Sequence, residues 1–274
     1  MRDRHLEVLA EVRAGATAAK VGYPIRVREV EVVRTLRVTP GMIRVTLGGD
    51  GCKGFESHVP GEHVKIIMPD PETGELRLPV QDGVLLAWPR PLPTTRDYTV
   101  RRYDADAAEL DIDVVVHDGG LVSTWARKAR AGDRVHVAGP PGGLVVPDVF
   151  DRYLIAGDHT ALPAIEGRLS ALPPSACGWV VVQVSRPDDE VALRAPSGID
   201  VRWTRTPAEF QAAVTSVAVP EGERVYVWLA GEAGVLKPLR RWVRDELRLD
   251  RCDYDITGYW KRGVADFDDD GEPE

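Results

Sequence analysis

The sequence predicts two domains, an N-terminal antiparallel β-barrel followed by an α/β domain built on a parallel sheet. Seven short strand-like segments lie between residues 25 and 139, and strand-like segments alternate with helical ones beyond residue 143. A cluster of glycine and proline, residues 139–143, separates the two patterns. The length of 274 residues is sufficient for two domains with separate cores.

The N-terminal extension, residues 1–24, has Leu6, Leu9 and Val12 at helical spacing, which predicts a short amphipathic helix within residues 5–19. It has no uninterrupted apolar stretch of the kind found in signal peptides, and no run in the chain reaches the roughly 18 apolar residues of a membrane span. The three cysteines stand far apart and form no motif, which fits a reducing compartment. We therefore expect a cytoplasmic protein without a membrane span, and a monomer.

The first domain, residues 25–146, shows alternating apolar and polar residues between turns that are rich in Gly, Pro and Asp. Many short strands within one domain are typical of a closed barrel or a sandwich. A single helix is predicted late in the series, at residues 121–131. The predicted strands cover residues 25–38, 42–47, 63–68, 75–80, 96–103, 109–117 and 134–139.

The second domain, residues 147–263, alternates apolar strands with helical segments, which predicts a parallel sheet flanked by helices. The predicted strands cover residues 153–157, 178–185, 199–206, 224–231 and 254–260. The predicted helices cover residues 161–172, 207–217 and 234–248. Residues 264–274 form an acidic tail that we expect to be solvated and disordered.

The charge distribution excludes nucleic acid as a partner. The formal net charge is -8, but six acidic residues belong to the tail, so the rest of the chain carries only two net negative charges of mixed distribution. Nucleic acid requires a basic face, which is absent. No metal site is expected either, because the histidines form no i, i+4 pair and none stands at ligand spacing from a cysteine; they are His5, His58, His63, His117, His136 and His159.

Residues 96–99 read Arg-Asp-Tyr-Thr within a predicted strand. Alternate side chains of a strand share a face, so Arg96 and Tyr98 should point together and Thr99 to the other side. A guanidinium fork suits a phosphate, a flat aromatic suits a flat ring, and a hydroxyl is a short hydrogen-bond partner. In isolation, the same four residues favour an ordinary exposed strand with a surface arginine.

Residues 117–126 run from a strand end through Gly119 and Gly120 into the predicted helix. A helix N-terminus offers unpaired N–H groups and the positive end of a dipole, which favours a pyrophosphate. Ser123 and Thr124 add hydroxyls at this point. Two other interpretations remain open: Ser123 as the cap of its own helix, and His117 as a histidine of the barrel core.

Several spaced stretches, together with residues 96–99 and 117–126, resemble the siderophore-interacting proteins, a family of FAD-dependent ferric-siderophore reductases in the ferredoxin-reductase-like superfamily. The resemblance extends from about residue 25 to residue 263. Shorter stretches are residues 45–51, 60–65, 230–233 and 258–263. The most specific stretch follows the first strand of the second domain and reads Gly157-Asp158-His159-Thr160-Ala161-Leu162-Pro163-Ala164-Ile165.

This resemblance implies an FAD-binding barrel followed by a ferredoxin-reductase-like domain for NADPH or NADH. By the resemblance, Arg96 contacts the FAD pyrophosphate, Tyr98 lies along the isoalloxazine, and Thr99 reaches the ring edge near N5. The other cofactor-binding residues that it implies are His117, Val122, Ser123, Thr124, Trp125, Gly157, Asp158, Thr160, Ala161, Pro163, Arg186, Glu232 and Trp260.

The implied reaction is hydride transfer from NAD(P)H to flavin N5, followed by single-electron transfer to the ferric iron of a siderophore and release of Fe(II). It needs no catalytic acid or base from the protein. Lys261 and Arg262 would attract the anionic ferric chelate, although Trp260 to Arg262 equally fit a strand end with two solvated charges. Ferredoxin is a further candidate donor.

Other functions of the same fold remain open, namely a flavin reductase or electron-transfer protein that acts on another acceptor in a biosynthetic pathway. A more distant alternative is a nonenzymatic binder. The chain departs from the family pattern at His159, where Glu is usual, and at Leu121-Val122, where a turn like Gly-Pro-Ala is commoner.

The nicotinamide specificity is expected to lie after the second strand of the α/β domain. A full Gly-x-Gly-x-x-Gly fingerprint is absent, which fits a reductase-type domain. Arg186 suits the 2′-phosphate of NADPH, whereas the acidic residues 188–190 suit the ribose diol of NADH. These signals conflict, and we favour NADPH.

Overall fold

A computed structural model gives the fold and describes residues 2–265 and 267. The chain forms two compact units: one contains residues 2–5 and 20–144, and the other contains residues 6–19 and the chain from residue 145 on. The predicted boundary after residue 146 lies close to this division, whereas the predicted extension 1–24 is shared between the units. Most of the predicted acidic tail, Asp266 and residues 268–274, lies outside the described residues.

The first part of the chain is rich in strands and includes two helices. In chain order the elements are α1 (Arg2–Arg13), β1 (Ala19–Gly22), β2 (Val27–Thr39), β3 (Met42–Gly48), β4 (His63–Met68), β5 (Val80–Asp82), β6 (Leu85–Ala87), β7 (Thr94–Thr99), β8 (Arg102–Asp104), β9 (Glu109–Val115), α2 (Leu121–Lys128), β10 (Arg134–Ala138) and β11 (Gly142–Val145).

Seven of these strands form one antiparallel sheet in the order β7-β4-β10-β2-β3-β9-β8. The two edge strands, β7 and β8, are consecutive in the chain and separated by Val100 and Arg101. The Val100 N–H donates to Glu62 O (2.8 Å), and the Arg101 N–H donates to Asp111 O (2.9 Å). Residues 94–104 therefore bridge both edges of the sheet, which is the arrangement of the predicted barrel.

The core of this unit follows from the alternation of its strands. Val32, Val45, Val64, Ile112 and Val137 come from five different strands and are fully buried. Helix α2 covers the core with residues that lie one turn apart, Val122 and Ala126. The apolar face of α2 thus fixes where its N-terminus lies on the sheet.

Some predicted strands of this unit are wrong in detail. Residues 75–79 are not a strand, because Pro79 lacks the N–H that a ladder needs and the preceding residues form a turn with Gly74 at φ 73. The predicted strand 96–103 is interrupted at residues 100–101, where the chain changes partners. The short pairs β5–β6 and β1–β11 were not predicted.

The second unit has the predicted alternation of strands and helices. Its elements are β12 (Arg152–Asp158), α3 (Leu162–Ala171), β13 (Cys177–Gln183), β14 (Gly198–Thr204), α4 (Pro207–Thr215), β15 (Val225–Glu232), α5 (Ala233–Asp245) and β16 (Tyr254–Trp260). The strands are all parallel and lie in the order β14-β13-β12-β15-β16.

This strand order contains a topological switch point. The chain proceeds outward from β12 through β13 to β14, then returns to the other side of β12 with β15 and β16. In open α/β sheets, ligands bind beyond the carboxyl ends of the strands at such a point. The ends of β12 and β15 are therefore the first place to seek a site in this unit.

None of the helices in the described part of the chain combines the length and the apolar character that a bilayer span requires. The three cysteines, Cys52, Cys177 and Cys252, are all free thiols.

Candidate functional site

Strand β7 presents Arg96 and Tyr98 on one face of the sheet, as predicted. In the register of β7 against β4, Arg96 pairs with Ile66 and Tyr98 with Val64, both of which are buried. Asp97 and Thr99 pair with Lys65 and His63 on the other face. The Thr99 side chain therefore points to the opposite face of the sheet from the Tyr98 side chain.

The Arg96–Tyr98 face combines a cation with a half-buried aromatic ring. The Arg96 guanidinium is half-buried and donates to the carbonyl of Thr95 (Nη1 to O, 2.7 Å). Tyr98 packs against the barrel core, and its burial raises the pKa of its hydroxyl, so that the ring is neutral at physiological pH. This face can accept a flat ring beside an anionic group.

The loop before α2 is shaped by two glycines. Gly119 has φ 77, a conformation that favours glycine. A Cβ on Gly120 would lie 2.3 Å from Cε1 of His117, so the exposed His117 ring occupies the place of a side chain at residue 120. Residue 120 caps α2 without any side-chain hydrogen bond to the helix amides. The first N–H groups of α2 are therefore left for another acceptor.

The predicted residues of α2 divide into two groups. Ser123 is buried, and its hydroxyl accepts from the His117 N–H (3.0 Å) and donates to His117 O (2.9 Å), so it fixes the loop. Val122 is buried in the core, and the half-buried Trp125 packs against it. Thr124 is exposed, and its N–H donates to Gly120 O (2.8 Å). Ser123 and Val122 can thus contact a ligand only through their amides.

In the second unit, Asp158 lies at the carboxyl end of β12 and joins several of the predicted residues. Its Oδ1 accepts from the Thr160 N–H (2.8 Å) and the Thr160 hydroxyl (2.6 Å). Its Oδ2 accepts from the Glu232 N–H (2.9 Å) and from Nε1 of Trp260 (2.8 Å). Burial raises the pKa of Asp158, and the four hydrogen bonds oppose that rise.

Glu232 extends this cluster from the end of β15. One carboxylate oxygen caps α5 by accepting from the Val235 N–H (2.8 Å), and the other accepts from the Arg262 N–H (3.0 Å). Between them, Asp158 and Glu232 hold residues 260–262 beside the switch point. Gly231, at φ 145, allows this approach, because a Cβ there would lie 2.6 Å from Oδ2 of Asp158.

The other predicted residues of the stretch 157–163 are internal. Ala161 and Pro163 are buried at the start of α3, and Gly157 is packed so closely that a Cβ would lie 2.6 Å from both Ala161 Cβ and Ala230 O. These residues shape the turn from β12 to α3, and their side chains are too buried to contact a ligand. Lys261 and Arg262, in contrast, are exposed, with the Lys261 ammonium 5.9 Å from the Phe267 ring centroid.

Arg186 follows β13 on the exposed surface and donates from Nε to Asp189 Oδ2 (2.8 Å). The nearby Glu190 forms an ion pair with Arg205. Two of the three acidic residues that would suit a ribose diol are thus already paired with arginines. The Arg186 side chain remains 55% exposed.

Two family models match the chain in succession. The siderophore-interacting FAD-binding domain matches residues 31–144, and the siderophore-interacting protein model matches residues 150–263. The chain belongs to the siderophore-interacting protein family. The first match makes the barrel unit an FAD-binding domain, and the two matches meet at the same division of the chain as the two structural units.

Known siderophore-interacting proteins and reductases resemble the chain over most of its length. It is 35% identical to the ferric vibriobactin reductase ViuB of Vibrio cholerae, over 88% of this chain and 90% of that protein. It is 34% identical to the NADPH-dependent ferric-chelate reductase of Escherichia coli, over 88% of this chain and 95% of that protein. A siderophore utilization protein from T. fusca superimposes with a TM-score of 0.84 at 39% identity, covering 92% and 98% of the two chains.

The residues of the barrel unit fit an FAD. The donor set pairs a guanidinium with the uncapped amides of α2 for a pyrophosphate, and Tyr98 offers a ring for the isoalloxazine. Sequence reasoning missed His63, which is the β4 partner of Thr99 and has its Nε2 3.9 Å from Asp97 Oδ2. Only the register of β4 against β7 reveals that His63 is a neighbour of the predicted flavin residues.

Proposed function

We propose that this siderophore-interacting protein is an FAD-dependent reductase that passes electrons from NAD(P)H to ferric siderophores and releases Fe(II). The observation that carries the proposal is the Asp158 cluster. It joins, through hydrogen bonds, three separate stretches of the family pattern: residues 157–160, 230–233 and 258–263. The similarity to a ferric vibriobactin reductase and a ferric-chelate reductase supports this choice of substrate.

In this proposal the barrel unit holds the cofactor. Arg96 and the first amides of α2 bind the pyrophosphate, and Tyr98 lies along the isoalloxazine. Thr99 reaches the ring edge through its backbone amide, because its side chain lies on the other face of the sheet from Tyr98. Ser123 and His117 act through the loop that they fix, while Thr124 and Trp125 border it. FAD supplies the conversion of a two-electron hydride donor into single electrons, so one NAD(P)H reduces two ferric ions.

The second unit, we infer, positions the nicotinamide and the substrate. Gly157, Thr160, Ala161 and Pro163 form the turn at the switch point, where a dinucleotide is expected. Asp158 and Glu232 hold the half-exposed Trp260 indole and the backbone of residue 262 in place. The iron arrives and leaves with its chelator, and the exposed Lys261 and Arg262 attract an anionic chelate.

The partner and location assignments belong to the same proposal. Arg186 favours NADPH over NADH, and ferredoxin is an alternative donor. The three free cysteines fit a cytoplasmic location, where thiols stay reduced. We propose a monomer. A flavin reductase with another acceptor is the second candidate, since the fold and the FAD residues would serve it equally.

An anaerobic titration tests the proposal. The purified protein should be yellow, bleach on addition of NADPH or NADH, and regain its flavin absorbance on addition of ferric siderophores, with Fe(II) trapped by a ferrous chelator. Arg96→Ala should weaken FAD binding about 10- to 100-fold, because a charge-assisted contact to phosphate is lost. Arg134→Ala, which removes an exposed arginine of β10 paired with Glu29, is the matched control.

The outcomes separate the candidate functions. Bleaching by NAD(P)H without reoxidation by any ferric chelate would exclude the ferric-siderophore reductase and favour the flavin reductase. A colourless protein that takes up no FAD would leave only a nonenzymatic binder. Full FAD occupancy in the Arg96→Ala protein would refute the role given to Arg96 while leaving the reaction itself intact.

A further inference from the structure

A group of potential metal ligands lies within the barrel unit, among residues that the flavin does not use. His5 of α1, Glu56 and His58 each contribute one ligand atom, and these three atoms lie within 4.8 Å of one another. His5 Nε2 is 3.7 Å from Glu56 Oε2. Two imidazoles and one carboxylate are a set that binds divalent transition-metal ions.

His5 is the residue that calls for an explanation. It is 8% exposed, and neither of its ring nitrogens has a hydrogen-bond partner among the described residues. Burying a polar group without a partner costs free energy, and most buried histidines avoid that cost. A bound metal ion would satisfy one ring nitrogen of His5 directly.

The spacing of the rings agrees with a shared ion. Zn–N bonds of about 2.0–2.1 Å at a tetrahedral angle place two imidazole centroids roughly 5 Å apart and two ligand atoms about 3.4 Å apart. The His5 and His58 centroids are 5.7 Å apart. The His5–Glu56 separation of 3.7 Å is also close to the value for a shared ion. Small rotations of the side chains would complete the geometry.

The surroundings hold the ligands in place. The carboxylate of Glu62 is buried and accepts from the N–H groups of His58 (3.1 Å) and Val59 (2.8 Å), and it also accepts from the Tyr23 hydroxyl. The Tyr23 ring centroid lies 5.5 Å from that of His5 and 5.6 Å from that of His58. Residues behind a metal site that fix its ligands in this way raise its affinity.

We propose that His5, Glu56 and His58 form a binding site for a divalent transition-metal ion, with Zn²⁺ as the probe and an open position on the exposed side of Glu56. The Glu56 side chain is 42% exposed, so an ion and a water ligand can reach the site from solvent. Nothing in the proposed reductase reaction requires this ion. We expect the bound ion to stabilise the contact between the first turn of α1 and the loop before β4.

Zn²⁺ titration of the FAD-loaded protein tests the site. Wild type should bind one equivalent that survives a large excess of Mg²⁺, because Mg²⁺ prefers oxygen ligands. Co²⁺ in the same site should give the visible absorption of a low-coordinate nitrogen and oxygen complex. His5→Ala and Glu56→Gln should each weaken Zn²⁺ binding about 100-fold or more, since loss of outer partners alone costs 10- to 100-fold.

The controls separate a lost ligand from a lost fold. His136→Ala removes another histidine of the same unit, whose Nε2 lies 3.9 Å from a single carboxylate oxygen of Glu29, and it should leave Zn²⁺ binding unchanged. Glu56→Gln changes a partly exposed residue and should retain FAD and the wild-type circular dichroism. The proposal is overturned if wild type binds no stoichiometric Zn²⁺, if Mg²⁺ displaces it, or if the two ligand variants bind it as tightly as wild type.

Discussion

Replacing Asp158 by Asn should destabilise the α/β unit, because this carboxylate accepts four hydrogen bonds and donates none. An Asn side chain has one oxygen and one NH₂ group. If the NH₂ faces the Glu232 N–H and the Trp260 indole, two hydrogen bonds are lost, because both groups are donors only. If it faces Thr160, the hydroxyl can turn to accept from the NH₂, and only the bond from the Thr160 N–H is lost. We expect the second orientation.

The magnitude follows from one lost bond and three weakened ones. The lost bond to a charged acceptor costs about 1.5–3 kcal/mol, and each of the three remaining bonds weakens by about 0.5–1 kcal/mol when its partner becomes neutral, so the loss is about 3–6 kcal/mol. Burial raises the pKa of Asp158 because an ionised carboxylate is costly to bury, and removal of the charge returns part of the loss. We expect the free energy of unfolding of this unit to fall by about 2–4 kcal/mol.

Urea unfolding followed by circular dichroism and tryptophan fluorescence measures this change. With a slope of about 2 kcal/mol per molar urea, the transition of the α/β unit should move down by about 1–2 M. Asp200→Asn is the matched control, since Asp200 is an exposed aspartate of β14 whose oxygen is 3.8 Å from Arg202. A shift in Asp158→Asn no larger than that of the control would refute the hydrogen-bond reasoning.

Two further predictions concern nicotinamide choice and thiol reactivity. Arg186→Ala should raise KM for NADPH about 10-fold and leave KM for NADH nearly unchanged, because only NADPH carries the 2′-phosphate; equal changes for both nicotinamides would contradict the role of Arg186. Cys52 is fully buried and burial raises its pKa to about 11, so a thiol reagent at pH 8 should modify Cys177 and Cys252 first. Cys52 should react only as the barrel unfolds, and comparison with Cys52→Ser identifies its signal; rapid native labelling of Cys52 would be inconsistent with its burial.

Much of the fold could be predicted from the sequence because its periodicities are strong. The strands at residues 63–68 and 254–260 have the predicted bounds, and the alternation after residue 143 gave the parallel sheet. The wrong strand predictions lie where the local sequence pattern indicates a strand but the fold provides no partner strand. Residues 75–79 alternate like a strand, but no β partner is formed there, and Val80 instead begins a hairpin with β6.

The sequence predicted part of the candidate site: it indicated which residues belong to the site, but not which of them contact each other. The family pattern indicated Asp158, Glu232 and Trp260, and the structure brings them together. The pattern could not show that the Ser123 hydroxyl turns to the His117 backbone, because hydrogen-bond partners depend on the fold of the loop. The group of His5 and His58 was invisible for the same reason, since its members come from distant parts of the chain.

Residues 94–104 contain both edge strands of the seven-stranded sheet, β7 and β8, and they also contain Arg96 and Tyr98. A ligand held by this segment binds the folded unit, in which the segment joins both edges of the sheet, more tightly than the unfolded chain. The stability of the barrel unit therefore depends on the concentration of FAD. At a free FAD concentration 100 times Kd, binding adds about 2.7 kcal/mol to the free energy of unfolding of this unit. In a cell short of flavin, more of the protein would be open to proteases, so its abundance would follow the flavin supply even at constant synthesis.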